Sequence, residues 1–89
     1  SSSKLSRQKE KELERQIRSL SRKLEQTETE IAECEALIED LNTSLCSPDV
    51  YSDHEKSLKL NEDLELANQK LEMLYSTWEN IQEELLELQ

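Results

Sequence analysis

The chain of 89 residues contains no glycine and no phenylalanine, one proline, one histidine, and only 3% aromatic residues. Each shortage excludes something. Without glycine there is no phosphate-cradling loop of the Walker or dinucleotide-binding kind. One histidine, His54, cannot build a histidine-based zinc site, and beside Asp53 and Glu55 it reads as a solvated residue at a helix start. With 34% hydrophobic residues there is little material for a globular core. No apolar run is long enough for a membrane span or a signal-peptide core, so a cytoplasmic protein without a membrane partner is expected. Cys34 and Cys46, if on one helix, stand about 18 Å apart, too far for a disulfide, and read as small apolar fillers. No catalytic residue, metal ligand or cofactor is expected; adjacent carboxylates such as Glu83 and Glu84 lack anything to desolvate them.

What remains is a chain rich in Glu, Lys and Leu, 36% charged with a net charge of −10. Long helices and disorder both fit that composition. Periodicity separates them. Leu13, Ile17, Leu20, Leu24, Thr27, Ile31, Cys34, Ile38, Leu41 and Leu45 follow one another at alternating spacings of four and three. Leu60, Leu64, Ala67, Leu71, Leu74, Trp78, Ile81, Leu85 and Leu88 do the same. These are the a and d positions of two coiled-coil helices. Between them, residues 42–53 hold the only cluster of turn formers, and Pro48 removes a backbone donor where the heptad phase is lost. The expected fold is therefore an all-α, two-helix antiparallel coiled-coil hairpin forming a single domain. Its helices span about 4–45 and 53–88, with a turn at 46–52. Ser3 or Ser6 would cap the first helix, and Ser52 with Glu55 would form a capping box for the second.

Setting Leu45 opposite Asp53 pairs every later seam position: Ile38 with Leu60, Ile31 with Ala67, Leu24 with Leu74, Leu20 with Trp78 and Leu13 with Leu85. Charge supports the antiparallel orientation. Residues 1–23 carry Lys4, Arg7, Lys9, Lys11, Arg15, Arg18, Arg22 and Lys23 against Glu10, Glu12 and Glu14, a net of +5, which leaves −15 on the rest. The expected register lays this basic segment along residues 72–89, which hold acids and no base.

Lys4, Arg7, Lys11, Arg15, Arg18 and Arg22 recur every three or four residues at outward heptad positions, a basic stripe of about 27 Å. The acids of the segment are expected elsewhere around the helix. Such a stripe suits the phosphate backbone of DNA or structured RNA, and without interleaved aromatics it would not read sequence. The alternative is a solvated face that helps hold the acidic helix. Trp78 belongs to the seam and Tyr75 to its edge. At the tip, Pro48 with Val50 and Tyr51 forms either a clasp over the turn or a contact surface for a partner.

Several segments together carry a resemblance: Lys4-Leu5-Ser6 leading to Glu12-Leu13, Pro48-Asp49-Val50-Tyr51-Ser52-Asp53 after Leu45, and Trp78-Glu79 with Ile81. The chain resembles the C-terminal coiled-coil domain of ABC-F (Uup-like) ATPases from Lys4 onward. Thr77 stands where members commonly have an arginine before the tryptophan. A monomeric hairpin is expected, and the resemblance implies the tail of a soluble protein with two ATPase cassettes, whose relatives act on the ribosome, and a tail associated with DNA binding. A net charge of −10 then requires any nucleic-acid contact to be local to residues 4–22.

Overall fold

The computed structural model describes all 89 residues and is all-α: α1 (Ser2–Leu45), α2 (Pro48–Tyr51) and α3 (His54–Leu88). Two long helices follow from the heptads as expected. The turn, however, contains a third helix. Ser47 before the proline is extended, with φ −74° and ψ 133°, and Pro48 occupies the first helical position, where its missing N–H costs nothing. Asp53 is extended too, and no residue in the chain has positive φ. Two extended residues around one helical turn thus reverse a chain that has no glycine to spend on a left-handed conformation.

The caps lie one or two residues from where they are expected. Ser1, not Ser3 or Ser6, caps α1, its Oγ accepting from the Lys4 N–H at 3.3 Å. Asp53, not Ser52, caps α3 by accepting from the Lys56 N–H at 3.2 Å. The carboxylate is the better choice, since it also meets the positive end of the helix dipole. Ser52 instead turns its hydroxyl back to donate to the Pro48 carbonyl, closing α2.

The core is a seam one residue wide. Cys34, Leu41 and Ala67 are buried together, with Ile38, Leu60, Leu64, Leu71 and Leu74 packed against them. Thr27, Ile31, Ile81 and Leu85 extend the buried line toward the open end. Thr27 is the one buried polar side chain, and its hydroxyl donates to the Lys23 carbonyl at 2.7 Å. Cys34 is a filler with an added contact: its thiol donates across the interface to the Ala67 carbonyl at 3.2 Å. That approach needs a methyl-sized side chain at position 67.

The register differs from the expected one. Trp78 Nε1–H donates to Glu28 at 3.3 Å and the Tyr75 hydroxyl to Glu35 at 3.0 Å, so higher numbers on α3 meet lower numbers on α1 and the helices are antiparallel. The Cys34 contact sets Ala67 close to level with Cys34, about three residues from the Ile31 it was expected to face. The 44 residues of α1 rise about 66 Å and the molecule is 75 Å long, so the turn with α2 carries it past the end of α1. The expected pairing failed because it treated residues 53–59 as seam. They hold Asp53 and Ser57 at the seam phase, and α2 packs beside them instead.

The shift is felt at the other end too. Leu13, expected against Leu85, is 39% exposed, while Leu85 is buried. Before about Glu12, α1 runs on as a single helix with nothing alongside.

Candidate nucleic-acid interface

At 100° per residue, Lys4, Arg7, Lys11, Arg15, Arg18 and Arg22 fall within an arc of about 80° on α1, opposite the seam that faces α3. All six are exposed. The structure thus brings the stripe together as a continuous strip of cations on the outer face. It divides the strip in two, because Lys4, Arg7 and Lys11 stand on the unpartnered part of α1, whereas Arg18 and Arg22 stand on the part that α3 backs.

Two expectations about the charges need correction. The acids of the segment are not all clear of the stripe: Glu12 reaches up one turn and holds Arg15, with carboxylate to guanidinium distances of 2.6 and 3.1 Å. The hydrogen bond from Arg15 holds the Glu12 carboxyl below its usual range, and both side chains remain in solvent. Nor does the acidic end of α3 pair with the basic segment. The ion pairs in the chain are Arg15–Glu12 and Lys59–Asp63, both within a helix. The first turns of α1, with Lys4 and Arg7, lie beyond the end of α3. Only Arg15, Arg22 and Lys23 share a groove with Glu84 and Glu87, open to water and also lined by Leu20 and Leu88.

At the tip, the clasp and the exposed surface are different residues. Val50 is half-buried against Glu55, Lys56, Lys59 and Leu60, and its carbonyl accepts from the Ser57 hydroxyl at 2.8 Å. Tyr51 points away and is 64% exposed. Pro48 sets the geometry by starting α2.

Sequence reasoning missed the cross-helix polar anchors. Tyr75 and Trp78 each donate across the interface to a glutamate of α1. Glu28 and Glu35 are seven residues apart, a spacing that could have been read. The carboxylate of Glu35 accepting the Tyr75 hydrogen bond raises that phenol above its ordinary value, because ionising it would break the bond. A raised folded value means the contribution of this pair is present below the unfolded pKa and lost as pH rises through the folded one. In an ultraviolet titration, Glu35→Gln is expected to bring Tyr75 ionisation down toward the ordinary tyrosine range. An unchanged curve would show that the pair does not persist in solution.

Comparison with known proteins bears on what this rod belongs to. Residues 4–83 match the family described as ABC transporter C-terminal domain. The chain belongs to this family. A relative, "Putative ATP-binding protein YdiF" of Bacillus subtilis (strain 168), is 42% identical over 57 residues. That alignment takes in 64% of this chain and 9% of the relative, so the chain spans a small part of the length of the curated protein it matches. No solved structure matches it significantly. As a member of a C-terminal domain family, the hairpin is an appendage and not a nucleotide-binding core. No helix is long and apolar enough to cross a membrane.

Proposed function

We propose that this domain is the C-terminal coiled-coil module of an ABC-F type ATPase and that it contacts nucleic acid, DNA or ribosomal RNA, without reading sequence. The observation that carries the reading is the stripe: six cations on one outward arc, Arg15 alone among them in an ion pair, and the first half on a helix with no neighbour. The ATPase activity belongs to cassettes elsewhere in the parent protein, and the domain itself is not an enzyme. Phosphates would be held by charge, since the stripe carries no aromatic to stack on a base. The acidic remainder of the rod, −15 over residues 24–89, would be repelled and so would set the orientation of the bound domain. A cytoplasmic, monomeric protein is the setting this reading requires.

The test is binding of the domain to a duplex DNA and to a structured RNA across a salt series. If all six cations meet phosphates, log K falls against log salt with a slope of up to about −5, roughly a 10³-fold loss between 50 and 200 mM. Binding that is absent at low salt, or that ignores salt, sinks the reading. A second reading, a rod that docks a protein by its tip, draws on Tyr51 standing exposed at the end of a rigid support. It requires Tyr51→Ala to abolish partner capture while leaving nucleic-acid binding intact.

A further inference from the structure

Residues 24–55 hold ten acidic residues and neither lysine nor arginine. The edge of α1 that is basic as far as Arg22 therefore turns acidic beyond it, because Glu25, Glu28, Glu35 and Glu39 continue the same helical face at spacings of three, four and seven. No ion pair engages any of these four, since both ion pairs of the chain lie elsewhere. The residues three and four away from Glu35 and Glu39 on α1 are apolar, neutral or acidic, so the helix supplies them no partner.

Along this edge a groove of about 540 Å³ opens between the two long helices. Ile38 and Leu71, both half-buried, form its apolar floor. Glu35 and Glu39, one turn apart on α1, stand exposed on its rim, and Asn42 and Asn68 complete its walls without adding charge. Glu35 is already positioned, because its Oε2 accepts the Tyr75 hydroxyl at 3.0 Å, which leaves the other carboxylate oxygen to a ligand. Two carboxylates at i and i+4 repel each other, so a cation set between them removes a cost that α1 bears alone.

We propose that this groove docks an arginine-bearing segment of a partner protein, with the arginine stem laid on Ile38 and Leu71 and its guanidinium on Glu35 and Glu39. Three features of the groove select that occupant. The apolar floor suits the methylene stem of a long cationic side chain, which a bare ion lacks. The planar guanidinium presents several N–H donors at once, so it can serve two carboxylates one turn apart where an ammonium is a point charge. No group of three side chains able to ligate a metal forms in the chain, and a phosphate backbone would be repelled from this edge. The groove lies on the flank of the rod, away from Tyr51 at the tip, and its occupancy does not depend on what the basic stripe binds.

Fluorescence anisotropy of a labelled peptide, acetyl-Ala-Arg-Ala-Arg-Ala-amide, titrated with the chain measures this docking. Glu35→Gln with Glu39→Gln should weaken binding at least about tenfold, as the loss of a charge-assisted hydrogen-bonded pair does. Glu33→Gln with Asp40→Asn removes the same formal charge at the same level of α1 but on its other side, and should weaken binding by less than about twofold. All four side chains are exposed, so both double variants should keep the helical signal of the parent. Tyr75→Phe, which frees Glu35, should cost roughly two- to threefold through the loss of one hydrogen bond. The lysine counterpart of the peptide should bind at least about threefold more weakly. Absence of binding, equal losses for the two double variants, or equal affinity for the lysine peptide overturns the proposal, because the rod would then attract cations by net charge alone or not at all.

Discussion

Leu41→Ala is expected to destabilise the hairpin by about 2–3 kcal/mol, and Leu37→Ala, one turn away, by no more than about 0.5 kcal/mol. The two leucines share a helix, a side chain and a helix propensity, and differ in where the heptad puts them. Leu41 is 8% exposed in the cluster with Cys34 and Ala67, while Leu37 is 50% exposed. A seam one residue wide has no second layer to collapse into the space, so the cavity left by Leu41 would persist or flood with water. For a domain of this size about 1 kcal/mol corresponds to roughly 4–8 °C, so thermal unfolding followed by circular dichroism should show a drop of about 10–20 °C for Leu41→Ala. Equal effects at the two positions would mean that the helices do not pack through this face.

That contrast shows how much of the fold was legible in the sequence. The helices, the antiparallel orientation and the identity of the seam residues follow from spacing alone, because a heptad repeat states which face is buried. The register does not follow, because two heptad seams can meet at more than one offset. What decides it lies outside the pattern: the turn at Pro48 is itself a helix, and it draws residues 54–59 out of the seam to pack on. The short helix was hidden because four residues cannot display a helical period. Of the candidate site, the stripe was legible because exposure on a straight helix is simple geometry. The engagement of Arg15 by Glu12 was legible in principle, from a spacing of three. The free helix at the open end was not, since it is a product of the register.

Neutralising the first half of the stripe should matter more than neutralising the second. Lys4→Gln with Arg7→Gln and Lys11→Gln removes three cations that have no ion-pair partner and no helix beside them. Each would meet phosphate unhindered, so the salt slope should flatten by about 3 and low-salt affinity should fall roughly tenfold or more. Arg15→Gln with Arg18→Gln and Arg22→Gln removes the same formal charge. Arg15, however, already spends its charge on Glu12, and Arg15 and Arg22 border the groove that Glu84 and Glu87 line. A phosphate approaching there competes with one carboxylate and is repelled by two more, so the slope should flatten by only about 1 to 2. Glutamine is nearly as good a helix former as lysine or arginine, and none of the six side chains reaches the seam, so both triple variants should keep the helical signal of the parent. The opposite order of effects would place the contact on the two-helix part of the rod. Equal and negligible effects would return the stripe to a solvated face.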